Sequence, residues 1–484
     1  MFTFFHRKYL IPLLVILILS TLGFSFLARE GKVFAAPSVS PALLLSKNAG
    51  PPTSILKVTG TSFGANETVV ILFDSTQIGS ASTDSSGSFA THIPVPASAL
   101  PGLHVIKATG NSSHLSAKAY FHVRTNWVMS GFGPQQDDAN PYENVVNSSN
   151  VSSMVQGWSQ AVAGGTDEAT PVIANNIVYE GMAGSSSDHF YAFNATTGQA
   201  LWSYPLHVGS DAAVANDTVY VGSDQLYAFA AKTGKLRWTA AAGNSFLSSP
   251  VVVGGTVFVG SENEGLYAFN ATNGTLLWSE TTKGPIAGAP AVAGGIVYVC
   301  SVDTLYAFNE QSGQALWTAQ IGNGISTSPA VANGIIYTSA TSGSLVALNA
   351  KSGTVLWTAS INDPGEGDAY PPAVANGAVY VAGIDLYAFN ALTGSQIWSQ
   401  PMSDVPADPP TIANGIIYQS EGFGPGGFSA IDAATGKTLW GTGQNELSYS
   451  SPIVVNGILY VGAAKTYPNG GGYLFTYHLP SGPA

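Results

Sequence analysis

A tryptophan returns about every forty residues along the latter part of the chain, always four positions after a glycine: Gly198–Trp202, Gly234–Trp238, Gly274–Trp278, Gly313–Trp317, Gly353–Trp357, Gly394–Trp398 and Gly436–Trp440. The segments around these pairs nearly copy one another, as in LYAFNATNGTLLW and LYAFNALTGSQIW. A second element precedes each, as in SPAVANGIIYTSA and PPAVANGAVYVAG. Its Asn-Gly or Gly-Gly step between two apolar runs reads as a tight hairpin turn, so each copy supplies four short strands. A period of this length built from short strands and Gly-rich turns is the mark of a β-propeller. Eight copies of the upstream element and eight LYAF-like elements predict eight blades. The last of them, LFTYHLPSG, has no tryptophan strand after it, while MVQGWSQAV, with Trp158, stands unmatched at the other end. The eighth blade is therefore expected to take its outer strand from the N-terminal side, which closes the ring and removes a free sheet edge.

Composition narrows the function classes. Charged residues are only 9% against 45% hydrophobic, which suits many short strands and excludes a disordered chain. The net charge of −12 argues against a nucleic-acid partner. The single cysteine, Cys300, rules out an internal disulfide, a Cys-based zinc cluster and a c-type haem motif. It sits in YVCS, where sibling repeats read YVGS and YVAG, and so is expected to be an inert buried thiol. His189, His207 and His478 show no metal-ligand spacing.

The N-terminus carries His6, Arg7 and Lys8 ahead of an apolar run from Tyr9 to Ala28. The run is long for a signal-peptide core and about long enough to span a bilayer. Val33-Phe34-Ala35 would permit cleavage before Ala36, so residues 1–36 read equally as a signal peptide or a membrane anchor, and either exports the rest. No cysteine follows for lipid attachment. Residues 37–124 lack the repeat and alternate apolar stretches with turn clusters. VTGTSFGANETVVILFD, TDSSGSF and PGLHVIKATG resemble the immunoglobulin-like modules of bacterial surface proteins, without a Cys…Trp…Cys core. Residues 125–157, rich in Asn, Ser, Gly and Pro, are expected to form a connector packed on the propeller, with Trp127 as a packing residue. Residues 158–484 are the propeller. The fold class is thus all-β, an eight-bladed propeller preceded by a small Ig-like sandwich.

The repeat resembles the pyrroloquinoline-quinone-type repeats of quinoprotein alcohol dehydrogenase-like propellers, from about Trp158 to Gly482. Ala192, Asn194, Thr197, Gly198 and Trp202 fit that family's Ala-x-Asp/Asn-x-x-Thr-Gly-x-x-x-Trp motif. The resemblance implies that Trp158, Trp202, Trp238, Trp278, Trp317, Trp357, Trp398 and Trp440 dock neighbouring blades. The chain is similar as well to the outer-membrane assembly factors of this fold, non-enzymatic lipoproteins whose lipidated cysteine it lacks. For a dehydrogenase, the resemblance implies a quinone near the axis stacked on a tryptophan, a calcium ion and a catalytic aspartate. Eight of the nine tryptophans here occupy docking positions and Trp127 lies outside the ring. The expected function is therefore non-catalytic binding or scaffolding, with no catalytic, cofactor or metal residue assigned. The alternative is a dehydrogenase dependent on pyrroloquinoline quinone and Ca2+. The expected partner is a protein or surface glycan and the expected state a monomer.

The acids point to one face. The inter-blade loops and the loops between second and third strands open on the same side, and these hold most of the propeller's carboxylates, whereas Lys232, Lys235, Lys351 and Lys437 lie on turns of the other. The connection INDPGEGDAYP and the loops EGFGPGG, AAKTYPNGGG and MAGSSSD are the longest, all in the sector of blades 6, 7, 8 and 1. Extra length on a rigid scaffold is where binding usually sits. Asp363, Glu366, Asp368, Tyr370, Asp404, Asp408 and Tyr467 are the candidate ligand or partner residues. The same acids would also keep a Gly-rich exported protein soluble.

Overall fold

The computed structural model describes residues 40–484 apart from 163–166, 184–187, 209, 242–244, 247, 323–326, 341–342, 362–369, 403–407, 422–426, 443–445, 449, 466–471 and 481–484. The apolar N-terminal run and its cleavage site lie outside the described residues. Among the described residues, no helix is long and apolar enough to cross a membrane. Apart from a single 3-10 turn, Val151–Ser153, the described elements are all strands.

The N-terminal unit is a sandwich of two sheets. One holds Ala42–Leu45, Ile55–Thr61 and Phe89–Pro94; the other holds Ala49–Gly50, Ser116–Val123, Gly102–Gly110, Thr68–Phe73 and Thr76–Ser82, in those orders. Alternation explains the pairing of the two layers. Leu56 and Val58 point inward from one sheet, and Val69, Ile71, Phe73, Ile106, Ala108 and Phe121 meet them from the other.

Among the described residues eight sheets follow, each an antiparallel run from a three-residue inner strand outward, with Ala139–Asn140 added in parallel to the inner strand of the seventh. The third is Val251–Val253, Thr256–Gly260, Gly265–Asn270 and Leu276–Thr281. Stacking on both sides buries the second strand throughout, as along Thr218–Gly222, which is why the sequence there reads as a continuous apolar run. The outer strand alternates instead, because only one of its faces is covered. The first seven sheets contact one another in order through their inner strands.

The wall is held by a repeated contact between one blade and the next. Asn194 Oδ1 accepts the Thr196 and Thr197 amides at 2.9 and 3.0 Å, closing a turn that ends on Gly198. In the next copy, Gly234 has φ of 64°, and a Cβ there would stand 2.6 Å from the Trp202 ring. Both the left-handed backbone and the indole lying on it require glycine. Trp202 Nε1 and the Tyr179 hydroxyl donate to the same carbonyl, Ala231 O, at 2.9 and 3.1 Å. The pairs Trp238/Tyr220, Trp357/Tyr337 and Trp398/Tyr380 do the same to Ala271, Ala391 and Ala433. The tyrosine half of this clamp is visible in the repeat (TVYVG, IIYTS) but is not singled out by the tryptophan period. Trp158 and Tyr460 complete the pattern on Ala195 O, at 3.1 and 3.2 Å, tying the last blade to the first. Val155–Val162 lies as the outer strand beside Gly472–His478.

Residues 127–140 run around the ring axis and bond to the inner strands in order. Trp127 pairs with Ile173 in the first blade at 2.8 and 2.6 Å. The Val128, Pro134, Gln135, Asp137 and Asp138 carbonyls accept the amides of Val214, Val292, Val331, Val374 and Ile412 at 2.6 to 2.8 Å. Asn140 Nδ2 then donates to Val454 O at 2.8 Å in the eighth blade. The inner edges of these blades would otherwise leave buried backbone groups unpaired; the connector pairs them in every blade but the third among the described residues and occupies the middle of the channel. Trp127, 1% exposed, joins the core of the first two blades. Coiling this tightly puts Phe132, Gln136 and Asp138 at φ of 70°, 56° and 49°.

Candidate functional site

The connector divides the axial channel. On the face where the inter-blade loops open it leaves a cavity of about 280 Å³, floored by Ser130, Gly131 and Asp138 and walled by the residues that enter the inner strands. On the hairpin-turn face it leaves a groove beside Asp137, whose carboxyl is pushed by burial up to about 6. A third hollow, about 340 Å³, lies where the sandwich meets the ring, at a seam closed by Thr125 and Asn456 bonding in both directions at 2.7 and 2.9 Å.

Three carboxylates line the axial cavity: Asp138 from the connector, Asp211 from the second blade and Asp408 from the seventh. Neither Lys, Arg, His nor an aromatic ring is among its lining residues. Asp211 is held in place by its neighbours. Its Oδ1 accepts the Thr170 amide at 2.7 Å and its own amide donates to Ser249 Oγ at 3.0 Å. Burial still pushes its carboxyl up. Asp408 Oδ2 accepts the Ser420 hydroxyl at 3.0 Å and its carbonyl accepts the Gln419 amide at 2.8 Å. Burial, reinforced by the charge of Asp211 and opposed by Ser420, takes Asp408 up to about 7. Asp138 is 6% exposed, and its carboxyl has no hydrogen bond among the described residues. Burial first, then the charges of Asp137 and Asp211, push it well above the ordinary range. Ser451, 3% exposed and also in the wall, has a hydroxyl without a partner among the described residues.

Of the residues singled out from sequence, Asp363, Glu366, Asp368, Asp404 and Tyr467 lie outside the described residues. Tyr370 is half-buried against the core shared by the sixth and seventh blades, and its carbonyl accepts the Ser339 hydroxyl beside Pro371 of the cavity wall. Asp408 faces the axis. The structure joins it to Asp138 of the connector and to Asp211 of the second blade, which lies outside the sector of blades 6, 7, 8 and 1. Asp137 and Asp138 escape repeat analysis because they lie in the segment that does not repeat. Asp211 had a readable signal: aligned copies place Thr170, Asp211, Ser249, Ala289, Ser328, Pro371, Pro409 and Ser451 at one position, a column otherwise of uncharged residues. Cys300 is buried, its thiol pushed by burial up to about 12, and among the described residues its one hydrogen-bond partner is the Thr338 hydroxyl at 3.5 Å. Among the described residues, no group of three or more His, Cys, Asp or Glu side chains could hold a metal ion.

A family model described as outer membrane protein assembly factor BamB matches residues 186–302, 251–320, 301–407 and 383–473. Solved structures share the fold at low identity. The quinohemoprotein alcohol dehydrogenase ADHIIG of Pseudomonas putida HK5 is 16% identical, with 74% of this chain and 81% of that one covered at a TM-score of 0.61. A europium-containing methanol dehydrogenase is 15% identical over 73% of this chain and 98% of its own, at 0.61. BamB from Moraxella catarrhalis is 18% identical over 67% of this chain and 99% of its own, at 0.55. A search of the curated proteins finds no match.

Proposed function

The chain belongs to the family of the outer membrane protein assembly factor BamB, and from that premise we propose that it is an exported, non-catalytic protein whose propeller is a binding platform. Its partner is a protein or a surface glycan, met by the acidic face of the ring, with the long loops around Asp363, Glu366, Asp368 and Asp404 as first contacts. The observation that carries this reading is the connector. A chain that blocks its own channel with Trp127–Asn140 keeps a stiff ring and a broad outer face, and leaves a small axial cavity on the face where the inter-blade loops open.

The dehydrogenase alternative asks for more than that cavity offers. Pyrroloquinoline quinone is a flat tricarboxylate, and holding it takes aromatic faces and cationic or metal partners. The cavity presents carboxylates, small hydroxyls and proline, so the described residues do not fit the group. We therefore derive no step through it.

Photo-crosslinking residues at positions 363 and 404, compared with position 333 on the opposite face, test the platform in the native envelope. A partner trapped from 363 and 404 and absent from 333 is the expected result. Dye reduction by an alcohol that requires added quinone and calcium would overturn the reading.

A further inference from the structure

The axial cavity is built as an acceptor that lacks its donor. A carboxylate buried as deeply as Asp138 ordinarily carries several hydrogen bonds or an ion pair, because desolvation is otherwise uncompensated. Asp138 has neither among the described residues; its charged neighbours are Asp137 and Asp211, which repel it. Ser451, from the eighth blade, adds a second polar group to the same wall, its hydroxyl buried and without a partner among the described residues. The backbone conformation of Asp138, at φ of 49°, is fixed by bonds on both sides, from its amide to Gly131 O at 3.2 Å and from Ile412 N to its carbonyl at 2.8 Å. The carboxylate is therefore presented to the cavity by the ring as a whole.

The missing donor is cationic, and its shape is constrained. The carboxylates come from the connector, the second blade and the seventh, and no three of them are close enough to close on a bare ion. A charged group with several directed hydrogens on an extended stem meets such a spread. An ammonium has three donors, which suit Asp138 and Ser451 together. Ala287, Ala289, Pro371 and Pro409 give the stem an apolar wall, within a space of about 280 Å³.

We propose that the axial cavity, through Asp138, Asp211, Asp408 and Ser451, binds a primary ammonium group carried on an alkyl stem. The stem belongs either to a free aliphatic amine or to a lysine side chain reaching in from a partner. The inference rests on the reading of this face as a binding surface, but concerns the cavity beneath the loops.

Calorimetry on the full exported chain decides it, with 1,5-diaminopentane, an N-acetylated lysine peptide amide and calcium chloride as separate titrants. The expected result is one saturable site for an amine, weakened at least about tenfold by Asp138→Asn and several-fold by Ser451→Ala. Glu262→Gln, an exposed acid outside the cavity, leaves it unchanged. Tighter binding of the diamine assigns a free amine; tighter binding of the peptide assigns a partner's lysine. Thermal melts of each variant confirm folding, and the alanine variant keeps the test decisive where the asparagine variant changes stability. The proposal is overturned by no saturable amine binding, by binding indifferent to both variants, or by calcium occupying the site so that no amine displaces it. Such a failure leaves the crosslinking result from the loops standing, and a negative crosslinking result leaves this one standing.

Discussion

Two buried carboxylates, each 6% exposed, have opposite surroundings in this molecule: Glu67 in the sandwich and Asp138 at the propeller axis. Glu67 accepts the amides of Gly64, Ser112 and Ser113 at 2.7, 2.9 and 2.8 Å and the Ser113 hydroxyl at 2.6 Å. Those bonds, the Ser113 hydroxyl foremost, hold its carboxyl down at about 2. Asp138 accepts none among the described residues and is pushed the other way. A carboxylate surrounded by donors is a structural fastener, tying the turn at Gly64 to the turn at Ser112 and Ser113. A carboxylate buried among acids costs stability, and its retention points to something other than the fold.

The largest effect that would break this contrast is at Glu67. Glu67→Leu leaves three backbone amides unanswered, and the sandwich should melt in a separate transition well below the ring, seen by differential scanning calorimetry. A single unshifted transition would deny the fastener role. Asp138→Asn should act in the opposite direction, raising ring stability at pH 8 and changing it far less at pH 4, because burial pushes the native carboxyl up and the asparagine has no proton to lose. Guanidinium unfolding at the two pH values measures both.

Asp408→Asn sharpens the same point. A carboxyl whose folded pKa is raised to about 7 binds its proton in the native state while the unfolded chain, near 3.8, has released it. Its contribution is present in full below about 4 and is lost as pH rises through about 7. The wild-type protein should lose stability over that window, and the asparagine variant should lose about 2 kcal/mol less after allowance for water at the cavity mouth. The smallest effect is Ser113→Ala. Removing the foremost donor should raise the Glu67 titration from about 2 toward the ordinary carboxylate range, followed by NMR of the side chain, with the sandwich still folded.

The ring was legible from sequence because its physics is local and repeated. The Asn194-type turn, the positive-φ glycine and the tryptophan four residues on are fixed within one copy. Any copy can be read from any other, even where one departs, as Ala230 does in place of the turn asparagine. The cavity was not legible in the same way. Asp408 was picked out as an acid of a loop, with nothing local to say that it turns toward the axis. Asp138 sits next to Asp137 in a stretch with no sibling, and no pattern announces that Val374 and Ile412, far along the chain, will pin that stretch by its carbonyls.

The sequence by itself therefore determined the all-β class, the propeller and the positions of the repeated hairpin and asparagine turns in its wall, because strand period and turn chemistry act over a few residues. Only the tertiary structure decided that residues 127–140 circle the axis and that Asp138, Asp211 and Asp408 share one cavity. Those neighbours are separated by most of a ring, and closing the ring is what lowers the dielectric around them and sets three like charges together without a described donor for the first.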